Sequence, residues 1–193
     1  MNVLIGCESS AAVRDAFIER GHYAMSCDLL PSEKPGPHYQ GDIFDVIDDG
    51  WDVGIFHPPC TYLAVSGMHW TTRGLRERRL TDDALDFVRR LMACRIPKWA
   101  LENPVSIISS QIRKPDQVIQ PWMFGHGETK ATCLWLKGLP HLVPTNIVPG
   151  REPRVHRMPP APDRWKERSR TYEGIAAAMA EQWGNPMQME LAA

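Results

Sequence analysis

The sequence has no apolar run approaching the roughly 18 residues of a membrane-spanning helix. Its N-terminus, Met1-Asn2-Val3-Leu4-Ile5-Gly6, lacks the basic flank of a secretory signal, so a soluble, cytoplasmic protein is expected. Cysteine is scarce and unpaired in pattern: Cys7, Cys27, Cys60, Cys94 and Cys133 are an odd number, widely spaced, with no C-x-x-C. That argues against a disulfide framework and against a zinc ribbon. His22, His38, His69, His126, His141 and His156 show no ligand spacing either, so no metal is expected. There is no internal repeat, and 17 prolines with 14 glycines stay short of low-complexity composition. Charge of one sign is also missing overall, the net being −1, but the balance is uneven along the chain. Residues 1–56 carry 3 Lys/Arg against 10 Asp/Glu, and residues 57–193 carry 19 against 13. The basic part is the one suited to phosphates.

What is present is enough for one sizeable core: 193 residues, 43% hydrophobic, read as a single domain over 1–193. Asn2–Gly6 is a β-branched apolar run ending in glycine. Ser9-Ser10 and the periodic Ala11, Ala12, Ala16, Phe17 follow, closed by Gly21, which reads as strand, turn, helix. Further strands are expected at Tyr23–Cys27, Asp52–His57 and Trp99–Leu101, with a helix across Thr81–Arg90. Strands alternating with helices predict an α/β fold, an open and mostly parallel sheet with helices on both faces and sites at the carboxyl ends of strands. Gly6, Asp28, His57 and Glu102 fall at such ends. Residues 1–139 would form the core. Seven prolines between Pro140 and Pro162 predict an extended crossing segment, basic through residue 170, before a last helix over Thr171–Trp183 that Gly184-Asn185-Pro186 ends.

Three acids or turns suggest a nucleoside. Gly6-Cys7-Glu8-Ser9-Ser10 is a small-residue turn opening a helix, where backbone can approach a ligand. Asp28, about 20 residues on, stands where nucleoside-binding folds place the acid that accepts ribose hydroxyls. Asp42 in Gly41-Asp42-Ile43 could accept from an exocyclic amine. Each acid alone also reads as a helix cap or a solvated turn residue; the ordered set points to nucleoside binding.

His57-Pro58-Pro59-Cys60 is the most informative tetrapeptide. Two prolines after a buried strand make a rigid, donor-poor turn, and the side chain it holds is a thiol. A thiolate at neutral pH needs a local positive field. The other cysteines read as buried and inert. Glu102-Asn103-Pro104 follows the next strand, so a parallel sheet brings Glu102 to the edge that carries Cys60, where a desolvated carboxyl of raised pKa could protonate a ring nitrogen.

The strand-turn-helix at Ile5–Phe17, Asp28, Gly41-Asp42-Ile43, Pro58-Pro59-Cys60 and Glu102-Asn103-Pro104, in this order, resembles the DNA cytosine-5 methyltransferase family, particularly its short phage and prophage members. The resemblance covers residues 1–110, and Arg170–Gly184 matches the family's C-terminal helix. It implies a Rossmann-like fold that binds S-adenosyl-L-methionine against Gly6, Cys7, Glu8, Ser9, Asp28, Asp42 and Pro58. It places the nucleophile on Cys60 and the Glu-Asn dipeptide on Glu102 and Asn103, with Pro59, Asn103, Pro104 and Thr132 against a base. The setting it implies is a bacterial or phage-infected cell. The departures are specific: no Phe-x-Gly-x-Gly turn, Thr61 where the family has glutamine, and Lys130-Ala131-Thr132 in place of a Gln-x-Arg-x-Arg strand. Lys130 would then be the catalytic cation. A target-recognition domain is reduced to the stretch around Pro140–Pro162.

The implied chemistry is thiolate addition at cytosine C6, with Glu102 on N3, which activates C5 for methylation. The substrate would be DNA or a cytosine nucleotide, with no membrane partner. A rival of another class is a non-catalytic nucleic-acid or host-protein binder. An amino-methyltransferase is a lesser rival, since His57 and the missing aromatic depart from its Asp/Asn-Pro-Pro-aromatic turn. Trp70 with Arg73, Arg76, Arg78 and Arg79 reads as a loop over a base or as a solvated helix approach.

Overall fold

The computed structural model describes residues 1–185. Seven strands, β1 (Asn2–Gly6), β2 (Tyr23–Asp28), β3 (His38–Gln40), β4 (Val53–Phe56), β5 (Lys98–Pro104), β6 (Gln117–Ile119) and β7 (Thr132–Lys137), form one sheet in the order β3-β2-β1-β4-β5-β7-β6. The helices are α1 (Ala12–Glu19), α2 (Met68–Thr72), α3 (Arg78–Met92), α4 (Ile108–Gln111), α5 (Arg154–Arg157), α6 (Arg164–Ser169) and α7 (Glu173–Trp183). Pairings from β3 to β5 are parallel, and β7 runs antiparallel to both β5 and β6. The sheet is thus mixed but mostly parallel, compatible with a Rossmann-like arrangement. Chain order reverses between β1 and β4, the switch point outside which such sheets open a crevice.

Alternation along the strands divides the core between the two faces. Val3 and Ile5 of β1, Ala100 of β5 and Leu134 of β7 pack with Val13 and Phe17 of α1 and with Ile175 and Met179 of α7. Leu4, Trp99, Leu101, Cys133 and Trp135 point the other way, against Leu85, Val88 and Leu91 of α3. The buried Thr81, Leu85, Val88 and Leu91 keep helical spacing, the stripe visible in the sequence. Helix α7 approaches so closely that a Cβ on Gly174 would lie 1.8 Å from the Phe124 carbonyl oxygen. The Gly174 N–H donates to His126 Nε2 at 3.0 Å.

Two expectations need correction. Strand β5 does not stop at Leu101: β7 pairs with it from Trp99↔Lys137 to Pro104↔Thr132, and this ladder carries Glu102 and Asn103 into the sheet. The crossing segment, expected to be extended through residue 170, contains two short helices, α5 between Pro153 and Pro159 and α6 after Pro162, since a proline ahead of a first turn costs no hydrogen bond. The short strands β3 and β6 have no periodicity in sequence to announce them. Pro186, expected to end α7, lies outside the described residues.

Candidate active site

Strand β4 ends at Phe56, and the chain leaves the sheet through His57-Pro58-Pro59-Cys60. The His57 N–H donates to the Gly6 carbonyl at 2.9 Å, tying the departure to β1. Behind the turn, Asn103 Nδ2 donates to the Pro58 carbonyl at 2.9 Å. Ahead of it, the N–H groups of Leu63 and Ala64 donate to the Cys60 carbonyl at 3.0 and 2.9 Å. Val65 N–H donates to Val105 O at 3.1 Å and Ile107 N–H to Leu63 O at 3.0 Å. These bonds tie the turn to the chain that follows β5. Cys60 is therefore held at both ends, its side chain half-buried, with Pro58 buried and Pro59 exposed.

Glu102 and Asn103 are neighbours in β5 and so project to opposite faces. Glu102, opposite Leu134, lies on the face of α1 and α7, where its Oε2 is 3.2 Å from His57 Nδ1. Asn103, opposite Cys133, lies on the α3 side and is 1% exposed. This corrects its expected contact with a base: Asn103 braces the proline turn from within. Pro104 is half-buried across from Thr132, and the buried Thr132 hydroxyl donates to Lys130 O at 3.2 Å. Lys130 Nζ donates to Arg170 O at 3.3 Å and lies 5.7 Å from the centre of the Tyr172 ring.

Electrostatics couple these groups. Burial pushes the Glu102 carboxyl up, but the His57 hydrogen bond, the Lys130 charge and the neighbouring Thr132 hydroxyl outweigh it and hold Glu102 below its ordinary value. The raised carboxyl expected from the sequence is thus corrected, because its ligands come from His57 and from β7 and not from its own strand. Burial and the Glu102 charge push the Cys60 thiol up. Lys130 and Arg168 act in the opposite sense without cancelling this. The positive field anticipated for the nucleophile exists and is outweighed, so the resting pair is a thiol and a carboxylate.

On the other side of the switch point, Glu8 is committed to the fold. Its buried carboxylate accepts from the N–H groups of Val13 at 2.8 Å and Arg14 at 3.3 Å and from Ser10 Oγ at 3.3 Å. The N-terminus of α1 therefore already carries an anion, and Glu8 is not available to a ligand as expected. Gly6 is closely packed: a Cβ there would lie 2.0 Å from Ile43 Cδ1, so that side chain would have to move. Cys7 and Ala11 hold left-handed backbone, at φ 60° and 62°, where L side chains are strained. Asp28 Oδ1 accepts from Leu30 N–H at 2.9 Å, and Asp42 Oδ1 caps a short turn through Phe44 N–H at 3.0 Å. Each acid keeps a second oxygen. Burial, then the fields of Asp28, Cys27 and Asp42, raise the Cys7 thiol. The Ser9 carbonyl accepts from Glu33 N–H at 2.8 Å, and Glu33 pairs with Arg170, so the β2–β3 loop meets the segment preceding α7.

Several basic residues have partners within the fold, those on α3 as solvent-exposed pairs. Arg76 donates to Thr61 O at 2.8 Å, Arg78 and Arg79 pair with Asp82 and Asp83 along α3, and Arg154 pairs with Glu128 at 2.8 Å. Sequence reasoning missed Arg14, fully buried, which donates to Ser32 Oγ at 3.1 Å and Pro35 O at 2.8 Å and so fixes the β2–β3 loop. It also gave His57 no role, although its position directly before the proline turn was the available signal. Among the described residues no cluster of three His, Cys, Asp or Glu is placed to hold a metal ion, and no helix is long and apolar enough to cross a membrane. Comparison with protein-family models and with curated proteins finds no match.

Proposed function

We propose that the protein is an S-adenosylmethionine-dependent methyltransferase acting on C5 of cytosine, in DNA or in a cytosine nucleotide, through a covalent bond to Cys60. The observation that carries the reading is convergence. Cys60 follows β4, Glu102 lies in adjacent β5, and Lys130 precedes β7 with its charge acting on both. A thiol and a carboxyl coupled in this way are what addition to a pyrimidine ring requires.

Residues at the switch point between β1 and β4 support a donor without phosphate. An α1 N-terminus already neutralised by Glu8 disfavours a phosphate, and S-adenosylmethionine has none. Asp28 and Asp42 offer free carboxylate oxygens for ribose hydroxyls and an amine, and the exposed Leu29 and Leu30 beside Asp28 offer apolar contact for a base. Cys7 and Ser9 complete the turn. When bound, the donor supplies an electrophilic methyl group.

The chain's residues do the rest. The resting pair holds one proton, on sulfur. On substrate binding that proton leaves Cys60 for Glu102 and passes to N3, while the sulfur electron pair bonds C6. The C5=C6 pair becomes C4=C5, and the C4=N3 pair takes the proton, so C5 becomes nucleophilic and Glu102 returns to carboxylate. After methylation N3 returns its proton to Glu102, a solvent base takes the C5 proton, and the C5–H electron pair forms C5=C6 as the C6–S pair leaves with Cys60, which regains its proton from Glu102. A base in a duplex would first be flipped out. The resting protonation of Cys60 and Glu102 is also what favours a second reading, a binder that keeps the fold without turnover.

Nucleoside mass spectrometry after incubation with the donor, comparing duplex and single-stranded oligonucleotides with dCMP and dCTP, tests the proposal. It expects 5-methylcytosine from at least one of them. Absence of product from all four supports the binder.

A further inference from the structure

The His57 side chain is 9% exposed, with Nδ1 3.2 Å from Glu102 Oε2. Its other nitrogen, Nε2, is buried and has no hydrogen-bond partner among the described residues. Burying an unpaired polar atom is unfavourable, so the polar contact this ring makes is the one through Nδ1. A carboxylate only accepts, so the bond is Nδ1–H donated to Oε2, which fixes the tautomer. The backbone holds the ring in place, since the His57 N–H is bonded to Gly6 O and the next residue is a buried proline. The other charged and titratable groups acting on this pair are Lys130, ahead of β7, and Cys60, with the Thr132 hydroxyl beside Glu102 and Arg168 of α6 acting on Cys60.

We propose that His57 is a positioning residue for Glu102: it occupies Oε2 and turns Oε1 toward the substrate base. The inference rests on the reading of Glu102 as the group that acts on the ring nitrogen. A fixed donor on Oε2 sets the orientation of the carboxylate plane and leaves Oε1 for the substrate, as a freely rotating carboxyl would not. It also explains a histidine at the head of a proline turn where an apolar residue would pack without an orphaned nitrogen.

The test uses His57→Asn, whose amide N–H stands near the Nδ1 position, His57→Gln, whose amide is displaced along the side chain, and His57→Phe, which fills the volume without a donor. The first readout is the Glu102 carboxyl titration in the free protein by carbon NMR, assigned by its loss in Glu102→Gln. The second is the pH dependence of adduct formation with an oligonucleotide containing 5-fluorocytosine. His57→Phe is expected to raise the Glu102 midpoint by about one pH unit and to slow the adduct about tenfold, with the acid limb moving up by the same amount. His57→Asn is expected to recover most of both, and His57→Gln little. An unshifted Glu102 titration in folded His57→Phe overturns the proposal, as does His57→Asn behaving no better than His57→Gln. If His57→Phe fails to fold, the Asn and Gln pair decides. A wild-type protein that forms no adduct speaks against methyl transfer, while the titration still decides the role of His57.

Discussion

Asn103 should control the nucleophile without touching substrate. Its side chain is 1% exposed, and Nδ2 donates at 2.9 Å to the carbonyl of Pro58, two residues before Cys60. Asn103→Ala leaves that buried carbonyl unpaired, a cost of about 1–3 kcal/mol, and opens a small void. Removing Asn103 Oδ1, itself buried and unpartnered, offsets part of this. The net is about 1.5 kcal/mol, which in a chain of this size lowers Tm by about 3–6 °C. Asn103→Asp should be worse, because it sets a carboxylate against a carbonyl oxygen. Differential scanning calorimetry measures the stability, and the rate of Cys60 alkylation by iodoacetamide reports whether the turn has loosened. A Tm within about 1 °C of wild type, with unchanged alkylation, would refute the brace.

Four further outcomes follow from contacts elsewhere in the fold. Glu102, held below its ordinary value in the fold, contributes stability that is full above the unfolded carboxyl value of about 4.3 and is lost as pH falls through the lower folded value. Acid unfolding should therefore be less steep in Glu102→Gln, and an identical slope in urea melts across that range would contradict the assignment. By calorimetry, Asp28→Ala should weaken S-adenosylhomocysteine binding about tenfold or more, as loss of a charged hydrogen bond does. Glu8→Gln should lower stability and leave that affinity nearly unchanged; a large loss in Glu8→Gln would mean its carboxylate reaches the ligand. Gly174→Ala, whose Cβ would meet the Phe124 carbonyl oxygen at 1.8 Å, should lower the denaturation midpoint by an amount equivalent to about 2 kcal/mol, and an unchanged midpoint would show that α7 can move.

The sequence displays the parts of the fold with strong local signals. The β-branched run of β1 before the Gly6 turn, the helical stripe from Thr81 to Leu91 and the strand ahead of Pro58-Pro59 are each set by residues close together in the chain. The length of β5 is not, because Glu102 and Asn103 join the sheet only through β7, some thirty residues later. The same distance explains the site. That Cys60 and Glu102 share an edge follows from parallel topology, but the ionisation of Glu102 depends on His57 and Lys130, whose approach no local pattern reveals. Glu8 was legible as part of a turn and not as the acid that caps it, since the N–H groups it accepts from, at Val13 and Arg14, are reached only when Ala11 takes a left-handed conformation. Asn103 is the most instructive residue: adjacent to Glu102 in sequence, it belongs to the opposite face.

The covalent bond to Cys60 is the central claim. With S-adenosylmethionine and an oligonucleotide or nucleotide carrying 5-fluorocytosine, the fluorine cannot leave as the proton does, so elimination stalls after methylation. Intact-mass analysis should find protein, substrate and one methyl group joined, and peptide mapping should place the bond on Cys60. Cys60→Ser should give no adduct, and Glu102→Gln should form it slowly. Methylation at cytosine C5 that persists undiminished in Cys60→Ala contradicts the account.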